Sequence, residues 1–104
     1  MAVLKVTKDD FENEVLASDK TVLADFYADW CGPCRALKGI VEEISDERPD
    51  VKTVKINIDD DEELAETFEI FSIPCLIVFK DGKEAARSVG LRPKDAILSM
   101  LEGV

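Results

Sequence analysis

The sequence predicts an α/β fold, with a mixed central sheet flanked by helices on both faces, in the order β-α-β-α-β-α-β-β-α. Segments with the apolar spacing of strands alternate with segments that have the apolar spacing of helices, which favours parallel strands joined by crossovers. The last two strand segments are joined instead by Asp81-Gly82, the strongest hairpin signal in the chain. A length of 104 residues suits one core, so residues 1–104 are expected to form a single domain.

The first strand and helix are predicted by a short apolar run and a helix start signal. The run extends from Val3 to Val6, and Thr7 followed three residues later by Asp10 is typical of a helix N-terminus. Residues 22–27 are nearly continuously apolar, as expected for a strand buried on both faces. This strand leads directly to the first two cysteines of the chain.

The middle of the chain is predicted to be helix, strand and helix. Apolar residues recur at helical spacing over 37–44, and the sequence 48–50, which contains a proline, ends that helix. Residues 54–58 alternate between apolar and polar, which is the period of a strand. The acidic triplet 59–61 offers an N-cap and a negatively charged first turn for the next helix, with apolar residues at 64, 65 and 68.

The last part of the chain is predicted to be a hairpin followed by a helix. Residues 75–79 form the first strand of the hairpin, and the second is expected to continue to about Val89. Gly90 interrupts the second strand, and Pro93 begins the final helix. Its core-facing residues are Ile97, Leu98 and Leu101.

The composition indicates a globular protein with a strongly acidic surface. Twenty-three acidic and 13 basic residues give a net charge of −10, which disfavours nucleic acid and anionic membrane surfaces as partners. A solvated surface that maintains solubility is favoured over steering toward basic partners. The absence of histidine excludes His-based triads and His metal ligands.

Two further features bear on location. No apolar run approaches the length of a membrane span, and residues 1–5 show no basic stretch followed by an apolar segment. We therefore expect a cytoplasmic protein. In that reducing compartment a close cysteine pair is more often catalytic or metal-binding than structural.

The motif Trp30-Cys31-Gly32-Pro33-Cys34 indicates a redox site. If a helix begins near Cys31, residues three apart lie on one face about 5 to 6 Å apart, within reach of a disulfide. The unpaired N–H groups and positive dipole end of a helix N-terminus favour a thiolate, so Cys31 is predicted to be the nucleophile. Cys34, one turn deeper and less exposed, would resolve the mixed disulfide. Gly32 allows close backbone approach, and Pro33 lacks only a donor that the first turn leaves unpaired.

A metal site is the main chemical alternative for the two cysteines. The same spacing supplies two ligands to zinc or to an iron–sulfur cluster. A closed zinc site needs four ligands, and Cys75 is the only other cysteine in the chain. We therefore expect no metal.

The chain resembles the thioredoxin family over nearly its whole length. The resemblance rests on residues 24–34 (ADFYADWCGPC), on Ser72-Ile73-Pro74 and on residues 79–82 (FKDG). It implies the thioredoxin fold and a monomeric protein-disulfide reductase that uses no cofactor beyond its own Cys31–Cys34 disulfide. Its partners would be disulfide-containing protein substrates and a thioredoxin reductase.

The resemblance also implies roles for a carboxylate and a lysine. Asp25 interrupts an apolar strand, and burial there would raise its pKa. In thioredoxins the matching Asp assists the resolving cysteine, so Asp25 would act on Cys34, through water, with Lys55 as its basic partner. The alternatives are an Asp25 that reaches solvent at a strand end and a Lys55 on the solvent side of its strand.

A substrate groove is implied as well. Residues alone would predict a trans Ile73–Pro74 bond, because only about 5 to 6% of X–Pro bonds are cis. The resemblance implies a cis bond instead, with the Ile73 backbone pairing to substrate, Pro74 shaping the groove, and Gly90 and Trp30 at its rim. The alternative for Trp30 is a core aromatic, and both interpretations can be true.

Two residues depart from the family pattern. Gly39 stands where thioredoxins usually have a proline that kinks the helix, so a kink there is not implied. Cys75 follows Pro74 where threonine is more common, and we expect it to be an inert buried thiol. The alternative is a third redox thiol that competes with Cys34 for Cys31.

Two other functions share this fold. A binding or assembly subunit would keep its activity without either cysteine. An oxidase or isomerase is disfavoured, because Gly32 and Pro33 separate the cysteines and no histidine is present to stabilise the thiolate further.

Overall fold

A computed structural model describes residues 3–104 of the chain. Within that range, five strands and four α-helices follow one another in the predicted order. The strands are β1 (Val3–Lys5), β2 (Thr21–Tyr27), β3 (Val51–Asn57), β4 (Cys75–Lys80) and β5 (Lys83–Val89). The helices are α1 (Lys8–Phe11), extended by a π-helical turn over Glu12–Leu16, α2 (Gly32–Glu47), α3 (Glu62–Thr67) and α4 (Lys94–Glu102).

The strands form one mixed sheet in the order β1-β3-β2-β4-β5. Strands β1, β3 and β2 are parallel, whereas β4 runs antiparallel to β2 and β5 antiparallel to β4. This confirms the mixed sheet with a terminal hairpin. The parallel pair β2 and β3 therefore deliver the loops that follow them to the same end of the sheet, where the site is built.

Helices cover both faces of the sheet. On one face, α1 and α3 pack against alternate residues of the strands, in a cluster that contains Phe11, Val22, Ala24, Phe26, Leu64, Cys75, Ile77 and Phe79. On the other face, α2 and α4 pack against the intervening residues, in a cluster that contains Leu23, Leu37, Val41, Ile44, Leu76, Val78, Ile97 and Leu101. We call these the α1/α3 face and the α2/α4 face. Because side chains alternate along a strand, the face of every strand residue follows from its position.

Several element ends differ from the sequence predictions, most of them by one residue, and β3 begins at Val51, three residues before the predicted strand 54–58. Val6 lies just beyond β1, although its N–H still donates to the Lys55 carbonyl at 2.9 Å, and Ile58 lies just beyond β3. Pro93 is the N-cap of α4 rather than its first helical residue. Asp61 is the N-cap of α3, but its side chain accepts the Lys8 N–H at 3.0 Å instead of capping its own helix. Such tertiary partners cannot be read from a local pattern.

The hairpin turn between β4 and β5 has the conformation that its two residues favour. Asp81 and Gly82 both have positive φ, 53° and 78°, as the type I′ hairpin turn requires. A Cβ on Gly82 would lie 3.0 Å from the Leu16 carbonyl oxygen. Gly82 is therefore required both by its backbone conformation and by its neighbour.

Helix α2 is continuous through Gly39, at the position where the family usually has a proline. A Cβ at Gly39 would meet no atom within 4 Å. Glycine is thus not required at this position for space.

Alanine substitutions at these two glycines should change stability in opposite directions. We expect Gly39→Ala to raise the free energy of unfolding by about 0.5–1 kcal/mol, because alanine loses less backbone entropy in a helix. Gly82→Ala should lower it by at least about 1 kcal/mol, because the left-handed conformation disfavours a Cβ. Urea denaturation of both variants and the parent measures the effects. Destabilisation by Gly39→Ala would show that α2 needs glycine at this position.

Candidate active site

Cys31 lies four residues beyond the end of β2, directly before the first residue of helix α2. Cys31 is the N-cap residue with extended backbone angles, and its Sγ accepts the Cys34 N–H at 3.1 Å. Pro33 lies in the first turn, where its missing N–H leaves no helical partner unsatisfied. The predicted helix start is confirmed, and a sulfur takes the capping role that an oxygen usually fills.

Cys31 and Cys34 are joined in a disulfide with their Cα atoms 5.2 Å apart. The pair packs with Ala28, and Tyr27 and Ile73 pack against this small cluster. The expected difference in exposure is almost absent, since Cys31 is 5% and Cys34 4% exposed. The surroundings of the two sulfurs differ instead: Cys31 Sγ lies 3.9 Å from the Ile73 carbonyl oxygen, whereas Cys34 lines a cavity that is partly open to solvent.

Asp25 lines the same cavity, which has a volume of about 260 Å³. Asp25 is 6% exposed, and its Oδ1 has no hydrogen-bond partner among the described residues. Removal from water raises its pKa to about 7, although the charge of Lys55 opposes this effect. The alternative of an Asp25 that reaches solvent is wrong. The structure therefore places a carboxyl group that titrates near neutral pH beside the cavity of the inner cysteine.

Lys55 pairs directly with Asp25 in the register of β2 and β3, and both lie on the α2/α4 face. Its side chain lines the cavity, and its Nζ lies 5.9 Å from the centre of the Tyr27 ring. Lys55 is half-buried, whereas Asp25 is buried. The sequence reasoning missed Arg35 and Lys38, which follow Cys34 on α2 and also line the cavity.

The Ile73–Pro74 peptide bond is cis, as the resemblance implied. The Pro74 carbonyl accepts the Gly90 N–H at 2.8 Å, which joins this segment to the end of β5. Gly90 has φ of 91°, a conformation that favours glycine. Within residues 3–104 the Ile73 N–H has no backbone hydrogen-bond partner.

Trp30 lies on the surface, so the core interpretation of this residue is wrong. Its side chain is 67% exposed, and its Nε1–H donates to the Asp59 carboxylate at 2.8 Å. Asp59 was predicted only as part of a helix-capping triplet. Sequence reasoning also missed Phe71, which is 88% exposed and lies two residues before Ile73. The sequence did contain one signal for Phe71: it is an aromatic residue that fits neither a helical nor a strand period.

Cys75 lies on the opposite side of the sheet from Cys34. It is 1% exposed and belongs to the cluster on the α1/α3 face, where it pairs with Phe26 of β2. Burial raises the pKa of its thiol and outweighs the opposite effect of Arg87. Both features favour an inert thiol.

The described residues also bear on metal binding and on membrane insertion. Across residues 3–104, no group of three or more His, Cys, Asp or Glu side chains is arranged to hold a metal ion. The helices in that range are all too short or too polar to cross a membrane.

The sequence matches the thioredoxin family model over residues 2–103. The chain belongs to the thioredoxin family. It is 45% identical over 104 residues to a thioredoxin of Mycobacterium tuberculosis H37Rv, covering 99% of this chain and 90% of the relative. A thioredoxin of Chlamydia pneumoniae is 45% identical over 96 residues, with 92% of each chain covered. A Bacillus subtilis thioredoxin is 42% identical over 102 residues, covering 97% of this chain and 96% of the relative.

Thioredoxins are thiol–disulfide oxidoreductases, and the disulfide between Cys31 and Cys34 supplies that chemistry here. The family, the fold and the class of reaction predicted from the sequence are therefore confirmed. Thioredoxin chemistry runs through the protein's own disulfide, without a bound cofactor.

Asp25→Asn should remove a pH dependence from the stability of the oxidised protein. Because the pKa of Asp25 is about 7 in the folded state and 3.8 ordinarily, the folded state binds the proton more tightly, and stability falls as pH rises through this window. Between pH 5 and pH 8 the parent should lose about 3 kcal/mol relative to the variant. Urea denaturation at both pH values tests this. Equal pH dependence of parent and variant would show that Asp25 is ionised at neutral pH.

Alkylation should distinguish Cys31 from Cys75 in the reduced native protein. We expect iodoacetamide to modify Cys31 rapidly and Cys75 at least about 100-fold more slowly, because only Cys31 is at a helix N-terminus and Cys75 is buried with a raised pKa. Peptide mass spectrometry after timed quenching gives both rates. Rapid modification of Cys75, or a Cys31–Cys75 disulfide after mild oxidation, would contradict the inert assignment.

Proposed function

We propose that the chain is a protein-disulfide reductase in which Cys31 attacks the substrate and Cys34 resolves the mixed disulfide. The observation that carries this assignment is the position of Cys31 Sγ at the N-terminus of α2, where it accepts the Cys34 N–H at 3.1 Å. The same N–H and the helix dipole favour a thiolate at Cys31 in the reduced state. Cys34 lines the pocket that it shares with Asp25, whereas Cys31 Sγ lies beside the Ile73 carbonyl, where the proposed substrate segment would bind.

The reaction transfers two electrons to the substrate. The Cys31 thiolate bonds to one substrate sulfur, and the other substrate sulfur leaves as a thiolate that takes up a proton. The Cys34 thiolate then bonds to Cys31 Sγ and displaces the second substrate thiolate. The products are the reduced substrate and the Cys31–Cys34 disulfide.

Asp25 is proposed to accept the proton that Cys34 releases before the second step. A pKa of about 7 suits a group that must take up and return a proton at neutral pH. Asp25 and Cys34 line one cavity of about 260 Å³, which is large enough for water to carry the proton between them. Lys55 lines the same cavity and would stabilise the ionised form of Asp25.

The substrate groove is proposed to lie between Trp30, the Ile73–Pro74 backbone and Gly90. An extended substrate segment could pair with the Ile73 backbone, beside Cys31 Sγ. Five large apolar residues are exposed within residues 3–104, and four of them are groove residues or lie within two positions in sequence of one: Trp30, Phe71, Val89 and Leu91. Apolar area next to a reactive disulfide supports docking of protein substrates rather than small thiols alone.

The remaining assignments follow the family. A thioredoxin reductase would restore the dithiol, and the Gly32-Pro33 pair between the cysteines supports a reductant rather than an oxidant. We propose that residues 1–104 act as one monomeric domain in the cytoplasm, since a reducing compartment keeps such a pair available as a dithiol.

Serine variants of the two cysteines should separate their roles. With a disulfide-containing protein such as insulin, Cys31→Ser should react no faster than buffer, whereas Cys34→Ser should still attack and accumulate a mixed disulfide through Cys31. Mass spectrometry of acid-quenched adducts measures both. Adding Asp25→Asn to the parent should slow the second step more than the first.

Equal trapping by both serine variants would contradict the division of roles. Activity that survives replacement of both cysteines would instead indicate a binding or assembly protein. Cys75→Ser serves as the control, because it removes a thiol on the other face of the sheet.

A further inference from the structure

Arg87 on β5 holds the segment that leads from α3 to the active site. Its Nη2 donates to the Phe68 carbonyl at 2.8 Å, and its Nη1 lies 3.4 Å from the Glu69 carbonyl oxygen. Its Nε and Nη2 also donate to the two carboxylate oxygens of Glu84, each at 2.8 Å. One guanidinium therefore joins β5 to the end of α3 through a two-bonded ion pair and two carbonyl contacts.

An irregularity in β5 makes this arrangement possible. Residues three apart in a regular strand point to opposite faces. The pairing shifts between Val78 and Phe79, which pair with Ala86 and Glu84, so Ala85 is an extra residue. The bulge places Glu84 and Arg87 on the same face as Phe79 and Ile77, which is the α1/α3 face.

The carbonyls that Arg87 binds belong to a turn with an uncommon conformation. Phe68 is the C-cap of α3, and Glu69 has φ of 54°, which a residue with a Cβ seldom adopts. The turn is followed by the exposed Phe71 and by Ile73, whose carbonyl oxygen lies 3.9 Å from Cys31 Sγ. Glu69 and Ile73 are four positions apart, so their Cα atoms are at most about 14 Å apart.

We propose that the Glu84–Arg87 pair is a clamp that positions residues 69–73 beside the disulfide, in the arrangement that binds protein substrates. Arg87 is thus a positioning residue that acts through the segment and does not touch the reacting sulfurs. The proposal rests on the proposed function, because it assumes that Ile73 and Phe71 contact substrate. The pKa of the Glu84 carboxyl is lowered by its hydrogen bonds to Arg87, so the pair stays ionised at neutral pH.

The clamp should affect large and small disulfides differently. A protein substrate must contact residues 69–73, so any fraction of molecules with the segment misplaced lowers its apparent affinity in proportion. A small aromatic disulfide needs little more than the Cys31 sulfur. Loss of the clamp should therefore change binding of the protein substrate without changing attack on the small one.

The test compares Arg87→Gln with the parent in single-turnover reduction of insulin and of 5,5′-dithiobis(2-nitrobenzoate). For Arg87→Gln we expect the insulin concentration at half-maximal rate to rise about fivefold, as it would if about one molecule in five kept the segment in place. The maximal rate, and the rate with the small disulfide, should stay within about twofold of the parent. Glu84→Gln should shift the insulin value in the same direction by less.

Arg48→Gln is the matched control. Arg48 also makes a two-bonded ion pair, with Asp50 at 2.9 and 3.0 Å, and it caps the far end of α2. The 16 residues of α2 place this pair about 24 Å from Cys31. Arg48→Gln should leave both reactions unchanged. This control shows how far the two reactions change when the loss of an arginine ion pair affects stability and nothing else.

Hydrogen exchange supplies a readout that does not depend on activity. The Ile70 N–H donates to the Ala65 carbonyl at 2.8 Å, directly beside the clamp. Its exchange should become at least about fivefold faster in Arg87→Gln and remain unchanged in Arg48→Gln.

Three results would overturn the clamp. They are an unchanged insulin half-saturation in folded Arg87→Gln, an equal loss with both disulfides, and unchanged exchange at Ile70. A parent protein that reduces neither disulfide would refute the proposed function, and Ile70 exchange would then decide whether the clamp positions the segment.

Discussion

The hydrogen bond from the Cys34 N–H to the Cys31 sulfur joins the fold of this protein to its chemistry. Every helix begins with N–H groups that lack helical partners, and here the reactive atom itself satisfies one of them. Cys31 is thereby the N-cap of α2, four residues beyond the end of the central strand β2. The start of α2 and the reactivity of Cys31 both depend on that junction.

The alternation of side chains along the strands separates two environments. The α2/α4 face holds Asp25 and Lys55, which line the same cavity as Cys34, so polar groups lie where the proposed mechanism moves a proton. The α1/α3 face holds an aromatic cluster of Phe11, Phe26, Phe68 and Phe79, with ring centres 5.3–6.2 Å apart. Cys75 belongs to that second environment. A shift of one residue in β4 would have moved this thiol to the face of the redox pair.

The sequence was sufficient to predict the structure wherever neighbouring residues determine it. The buried strand 22–27, the hairpin at Asp81-Gly82 and the helix start at Cys31 all follow from local patterns. The cis bond before Pro74 followed only from the family resemblance, because residues alone favour trans. The Trp30–Asp59 hydrogen bond, the nearly equal burial of the two cysteines and the bulge at Ala85 depend on distant parts of the chain, so no local pattern indicates them.

The bulge at Ala85 also bears on how the protein behaves at high concentration. Strand β5 lies at one border of the sheet, where unpaired backbone groups could pair with another copy and begin aggregation. The extra residue breaks the regular spacing of those groups, and the charged Lys83, Glu84 and Arg87 are exposed along the strand. At the opposite border, β1 spans three of the described residues, Val3–Lys5. Both borders are thus poor templates for intermolecular strands, so the folded protein should resist edge-to-edge association even when it is concentrated.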